Sequence, residues 1–243
     1  RIRCHKTTGH GTQDFTHTVY NSCNPAFVEW GRRVGVDNMY LYMGKLGLLA
    51  KTGIDLSGEA GTIIHKQENV GAVELATMSF GQSFQITPVQ MLRAVAAIVN
   101  GGKLVTPHFG LYTSSSDGSV VNEFAYSTEE EAISLQTSEM MKQILEGVVS
   151  EGGGTKAYIE GYSIGGKTAT SQKLPRGSGK YISSFIGFAP AENPQVIAMC
   201  LIDEPTGVYY GGTIAAPVVK TLYENILPYL GIERSVQLEK NSD

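Results

Sequence analysis

Cysteine is scarce, with three residues in 243, at Cys4, Cys23 and Cys200. So few, so scattered and odd in number, they exclude a disulfide scaffold and leave at least one thiol free. Long apolar runs are missing too. No stretch comes near the roughly 20 residues that a helix needs to cross a bilayer. Nothing at the start has the pattern of a secretory signal. Charge is modest at 17% of residues, the formal net charge is −4, and no basic stripe stands out. Nucleic acid is therefore not an expected partner. Internal repeats and low-complexity linkers are lacking. The chain opens on Arg1-Ile2-Arg3-Cys4 without an initiator methionine, and is expected to be a piece of something longer.

Apolar residues are plentiful at 42%, enough for one large core or two small ones, and the 29 glycines promise many tight turns. Residues 1–23 read as polar and irregular. Pro25 suits a first helical turn, with Ala26, Phe27 and Trp30 on one face and a stop at Gly35. Asp37 then caps a second helix through Leu48, and 50–71 read as loop. Further helices are predicted over about 72–80, from Thr87-Pro88 to Val99 before Asn100-Gly101-Gly102, and over 137–150 with Met140, Met141, Ile144, Leu145 and Val148 as its stripe. Two short strands flank a polar turn at 114–119. Strands follow at about 162–171, 181–189 and 195–203, then a helix over about 213–230. The acidic run Glu129-Glu130-Glu131 reads as a solvated approach to a helix. Helices first and antiparallel strands later argue for an α+β class.

Two short motifs could carry chemistry. Ser22-Cys23-Asn24 stands just before a helix. Lys167-Thr168-Ala169-Thr170 follows Gly165-Gly166 on a strand. A hydroxyl such as Ser22 passes a proton, an amide such as Asn24 holds a substrate amide, and Lys167 fixes the hydroxyl and attracts a carboxylate. Thr168 and Thr170 add donors, and the small neighbours let a peptide lie along the strand. Each motif also has a plain reading: Ser22 as the cap of the helix at Pro25, Lys167 as a solvated strand lysine.

Longer matches set these motifs in a family. His10-Gly11-Thr12-Gln13-Asp14-Phe15, Asn21-Ser22-Cys23-Asn24-Pro25-Ala26-Phe27, Thr52-Gly53-Ile54-Asp55-Leu56, Ser79-Phe80-Gly81-Gln82, Thr87-Pro88-Val89-Gln90, Gly165-Gly166-Lys167-Thr168, Phe185-Ile186-Gly187-Phe188-Ala189-Pro190 and Tyr210-Gly211-Gly212 occur in this order. They resemble the class B penicillin-binding proteins, peptidoglycan D,D-transpeptidases, over nearly the whole chain. The tail Leu227-Pro228-Tyr229-Leu230-Gly231-Ile232 is most similar to the sporulation or septal branch.

That resemblance implies a penicillin-binding transpeptidase fold, of the serine β-lactamase type, as one partial domain over 1–243. Its helical side would cover about 24–100, and its sheet and closing helix about 104–243. The site would lie in a cleft between them where Ser22 meets Lys167. The family's site is built from Ser-x-x-Lys, Ser-x-Asn and Lys-Thr-Gly. Ser22 and Asn24 would supply the second, and Lys167, Thr168 and Ala169 the third. The Thr170 N–H would be half of the oxyanion hole. Implied partners are stem peptides ending in D-Ala-D-Ala, β-lactam antibiotics and other cell-wall proteins. The implied location is the outer face of the cell membrane, with the anchor outside this chain. No cofactor is required. Two departures matter. No serine here is followed three residues later by lysine, so the nucleophile is expected upstream of Arg1 and this chain alone is expected to be inactive. And Ala169 stands where the family usually has glycine.

Three rival readings remain open. Gly161-Tyr162-Ser163-Ile164-Gly165-Gly166-Lys167-Thr168 satisfies the P-loop spacing, but the following Pro175-Arg176-Gly177 looks like a turn instead of a helix. Cys4, His5, His10 and Cys23, with Asp14 nearby, are candidate ligands of a structural zinc, though at no standard finger spacing. A catalytically silent transpeptidase-like scaffold is the third.

Overall fold

Helices dominate the first half of the chain, two of them capped by the side chains of Asp14 and Thr87. The computed structural model describes residues 2–129, 131–175 and 177–234. Arg1, Glu130 of the acidic run and Arg176 of the expected turn lie outside the described residues. Two compact units form: one joins the chain up to Ala26 with Met140 onward, and the other is Phe27–Glu139.

In chain order, α1 (Phe15–Asn21) comes first, and α2 (Asn24–Lys45) follows with a break at Gly35, whose φ is 77° and ψ 169°. Residues 1–23 are thus not irregular throughout. The stop expected at Gly35 is present as a kink. Then come β1 (Ile63–Ile64), α3 (Ala72–Met78), β2 (Phe84–Gln85) and α4 (Pro88–Val99). α4 starts where the sequence places it. The Thr87 hydroxyl accepts from Gln90 N at 3.2 Å, and the Gln90 carbonyl oxygen accepts from Thr87 N at 2.8 Å. This reciprocal pair satisfies two otherwise orphaned donors. The short strands β3 (Leu104–Val105), β4 (Tyr112–Ser114), β5 (Val120–Glu123) and β6 (Thr128–Glu129) complete the unit. β1 pairs with β2, β3 with β6 and β4 with β5, all antiparallel.

Its apolar packing is split. Tyr40, Met43 and Met78 form one cluster, and Ala97, Leu104 and Ala132 another. Because Leu104 packs on Ala97 of α4, and β3 pairs with β6, residues 104–139 fold with the helices before them.

The helix α5 (Leu135–Ser150) precedes a three-stranded antiparallel sheet of β7 (Gly165–Gln172), β8 (Tyr181–Ala189) and β9 (Val196–Asp203), in that spatial order. The helices α6 (Gly211–Ile214) and α7 (Ala216–Tyr229) close the chain's described part. Val219, Tyr223 and Leu227 of α7 are buried with Phe185, Ala189 and Ala198 of the sheet. Each fully buried side chain of this size contributes roughly 1.5–3 kcal/mol. The Tyr223 hydroxyl accepts from Ala198 N at 3.0 Å and donates to Gly187 O at 2.5 Å, so its burial leaves no polar atom unpaired. The architecture is α+β, with β7 left at one edge of the sheet.

Candidate active site

Ser22 is placed by the ends of α1. The Asp14 carboxylate accepts from His17 N at 2.7 Å and caps the helix, and Thr18 and Val19 bury its inner face. Ser22 then ends it in the left-handed conformation, with φ 48° and ψ 49°, and its N–H donates to Val19 O at 3.2 Å. A non-glycine residue held there costs on the order of 1 kcal/mol or more, so the surroundings must over-determine it. The next helix starts at Asn24, and Ser22 ends α1 instead of capping α2. Tyr20 anchors the same turn. A Cβ on Gly147 of α5 would lie 1.8 Å from the Tyr20 hydroxyl oxygen, so only glycine leaves the slot that this ring fills. The Tyr20 carbonyl accepts from Gly153 N at 3.1 Å. The sequence reading missed Tyr20; a glycine inside the helical stripe of α5 was the available signal.

Lys167 lies on β7 opposite Ile186, and its Nζ donates to the Ser22 hydroxyl oxygen at 3.0 Å and to Thr168 O at 3.0 Å. The plain reading of a solvated lysine does not hold, because the side chain is half-buried. Burial brings the amine's pKa down to about 8. Loss of water disfavours the charged form, and only desolvation drives the shift. Near neutral pH the amine is still mostly protonated, so it donates to Ser22 and leaves the Ser22 proton available to a third group.

Asn24, two residues on, is half-buried, and its side-chain amide has no hydrogen-bond partner among the described residues. Thr168 is half-buried, while Ala169 and Thr170 are exposed. The Thr170 hydroxyl oxygen accepts from Gly211 N at 3.0 Å, which ties β7 to the start of α6. A Cβ on Gly211 would sit 2.2 Å from Ala169 O and 2.3 Å from Ser184 O, so α6 rests directly on the strand backbone. Ser22, Asn24, Lys167, Thr168, Ala169 and Thr170 all belong to the one compact unit. Together they offer a relayed hydroxyl, a free amide and a lysine beside a strand edge.

Residues 1–224 match the penicillin binding protein transpeptidase domain. The chain belongs to that family. Stage V sporulation protein D of Bacillus subtilis is 43% identical over 246 residues, which cover 99% of this chain and 38% of that protein. The probable peptidoglycan D,D-transpeptidase PenA of Neisseria meningitidis is 33% identical over 224 residues, 90% of this chain and 37% of that protein. Among solved structures, penicillin binding protein 3 of Mycobacterium tuberculosis complexed with ampicillin superposes with a TM-score of 0.83 at 27% identity, covering 93% of this chain and 53% of that one. The penicillin-binding transpeptidase fold expected from the sequence is the fold observed. The chain spans less than two fifths of the length of the first two relatives.

The P-loop spacing has no P-loop geometry. Lys167 and Thr168 sit in the middle of β7, and after that strand the chain turns back, with Lys173 N donating to Lys180 O at 2.9 Å. No helix follows to present amides to a phosphate. Cys4, His5 and His10 come together in this transpeptidase domain. Cys23 is buried at 7% exposure and is not in that group, and Asp14 is engaged with His17. His10 has its pKa lowered by burial, with smaller contributions from His5 and Lys6. A separate cavity of about 480 Å³ in Phe27–Glu139 is lined by Lys51, Thr52, Arg93, Tyr126 and Glu129 among others, and contains none of the motif residues.

Proposed function

We propose that this chain contributes the Ser-x-Asn and Lys-Thr-x parts of a serine-type peptidoglycan D,D-transpeptidase. The observation that carries the reading is the 3.0 Å contact between Lys167 Nζ and Ser22 Oγ, residues 145 apart in sequence. In the reaction, a serine oxygen attacks the carbonyl of the D-Ala-D-Ala amide of one stem peptide. The C–N bond breaks and the terminal D-Ala leaves as a free amine. An amine of a second stem then attacks the ester and releases the serine. Ser22, receiving a hydrogen bond from Lys167, has its own proton to pass to the leaving amine. Asn24, with its amide unengaged, holds the donor peptide. Lys167 with the hydroxyls of Thr168 and Thr170 attracts the terminal carboxylate, and the Thr170 N–H stabilises the oxyanion. The edge position of β7 suits a peptide laid along it. β-Lactams bind the same groups as mimics of the dipeptide.

The 243 residues contain no Ser-x-x-Lys. We infer that the acylating serine and its lysine base come from a further segment of a longer polypeptide, and that this chain alone neither acylates nor cross-links. A membrane location outside the cytoplasm and contacts with other cell-wall proteins belong to that longer protein. Within the described residues no helix is long and apolar enough to cross a membrane. The chemistry calls for no cofactor. In the longer polypeptide, Lys167→Ala and Ser22→Ala are each expected to slow acylation by a fluorescent penicillin roughly 10²–10⁴-fold, the range of a lost proton-transfer group. Unchanged acylation rates in both variants would overturn the assignment.

A further inference from the structure

We propose that the cavity in Phe27–Glu139 is a binding site for a small hydroxylated monocarboxylate, held by Arg93 at its floor and Lys51 on its wall. The volume of about 480 Å³ falls in the range of roughly 300–1,000 Å³ that small-molecule sites occupy. Arg93 stands on the packed face of α4, one turn from Gln90 and one from Ala97, and is 8% exposed. Charged side chains are rarely so buried unless they are paired, because loss of water disfavours the charge. The carboxylate that faces it, Glu129 of β6, is 3.8 Å from Arg93 Nη2, and its side chain is 72% exposed. That separation is beyond hydrogen-bond length, and so exposed a partner offsets little of the cost. The guanidinium therefore retains its attraction for an anion that enters the cavity.

The backbone holds the group in place. Arg93 Nε donates to Val105 O at 2.7 Å, while Nη1 lies against Gly47 and Nη2 faces Glu129, both residues of the cavity wall. Gly47 has a φ of 71°, and a Cβ there would lie 3.0 Å from Nη1, so glycine keeps this side of the wall clear. Lys51 is exposed and adds a second cation to the wall. The nearby Glu59 carboxylate accepts from Thr52 N at 2.6 Å and Gly53 N at 3.2 Å, and is not part of the wall. Two cations against Glu129 leave the wall one positive charge in excess, which matches a single carboxylate. A phosphate dianion would bring its second charge against Glu129. The planar fork of a guanidinium also fits a carboxylate. The hydroxyls of Thr106 and Ser127 lie 3.2 Å apart on the wall, and each can donate to or accept from a ligand hydroxyl. Leu104 is the one large aliphatic side chain among the wall residues, so an apolar acid would find little to pack on. Neither Ser22 nor Lys167 lines the cavity, and the inference does not depend on the transpeptidase reading.

The test is titration of the purified chain with D-gluconate, followed by calorimetry and by backbone amide chemical shifts. The expected result is saturable binding of one gluconate per chain, with shifts at Lys51, Thr106 and Ser127, weakened by added salt. Glucose, which lacks the carboxylate, and hexanoate, which lacks the hydroxyls, should each bind at least about tenfold more weakly. Lys51→Ala, at an exposed position where folding is safe, should weaken gluconate binding about twofold to fivefold. Glu129→Gln, also exposed, should tighten it by a similar factor, because it removes the competing carboxylate. Arg93→Met should weaken it by about tenfold or more. Far-UV circular dichroism establishes that each variant is folded, and the two exposed variants decide the matter if Arg93→Met is not. Inorganic phosphate that binds as tightly as gluconate and shifts the same amides would overturn the carboxylate assignment and leave a site for adventitious anions. No saturable binding, or no opposite response in Lys51→Ala and Glu129→Gln, would overturn the proposal. So would gluconate binding to this chain that is lost in a longer polypeptide, since the cavity would then be filled by protein.

Discussion

Replacing Lys167 by methionine should change how stability depends on pH. The amine has a pKa of about 8 in the folded chain against 10.5 for a free lysine. At about 1.4 kcal/mol per pH unit, that gap means that burying the charged form costs on the order of 3 kcal/mol. The folded pKa is the lower one, so between pH 8 and 10.5 the unfolded chain binds more protons than the folded chain. Stability therefore rises with pH across that window. Below pH 8 the cost is fully present, and above 10.5 it is gone. By linkage, wild type should gain on the order of 2–3 kcal/mol on Lys167→Met between pH 7 and pH 10. At pH 7 the two should differ little, because the variant sheds the desolvation cost and loses the two hydrogen bonds to Ser22 and Thr168 O. Urea unfolding followed by far-UV circular dichroism at both pH values measures the difference, and titrations elsewhere in the chain cancel in it. A wild-type-minus-variant difference that stays constant from pH 7 to pH 10, or shrinks, would refute the buried-amine reasoning.

Two further substitutions test the scaffold under the site. Tyr223→Phe removes a buried hydroxyl that bridges Ala198 N and Gly187 O, and should cost about 1–3 kcal/mol in urea unfolding, since both backbone groups lose a partner; a cost near zero would mean that the bridge is not formed. Gly211→Ala pushes a methyl into Ala169 O and Ser184 O, which are backbone atoms that cannot swing away, and should lower stability by about 1–3 kcal/mol or more; a urea midpoint equal to wild type would refute the close packing of α6 on β7.

Much of this fold can be read in local signals. Thr87-Pro88 marks the start of α4 because a side-chain cap and a proline fit only the first turn. The strands of the sheet are marked by short apolar runs between turns, as in Tyr181–Ala189. Where the signal was weak, the reading failed. Phe15–Asn21 buries only Thr18 and Val19, too little periodicity to distinguish it from loop. Met140, expected in the apolar stripe of α5, is 53% exposed, while Ile144, Leu145 and Val148 are buried as expected. Ser22 shows why a cap cannot be assigned from residue type alone: serine suits a helix start, yet here it ends the preceding helix in a left-handed turn. The approach of Lys167 to Ser22 leaves no trace in periodicity, because tertiary pairing across 145 residues is not a local property; only family resemblance brought the two motifs together. Cys4, His5, His10 and Cys23 stood out by composition, but that the first three meet while Cys23 does not is a matter of tertiary placement.

Fluorescent-penicillin labelling of this chain, beside a longer polypeptide that includes Ser-x-x-Lys, tests the transpeptidase assignment most directly. Covalent label on the longer polypeptide alone, lost when its Lys167 is replaced, is the predicted result. Label on the 243 residues by themselves would contradict it, because the nucleophile would then lie among them. Absence of label on both, with both shown to be folded, would contradict it too, since Ser22, Asn24 and Lys167 would then serve no acylating serine.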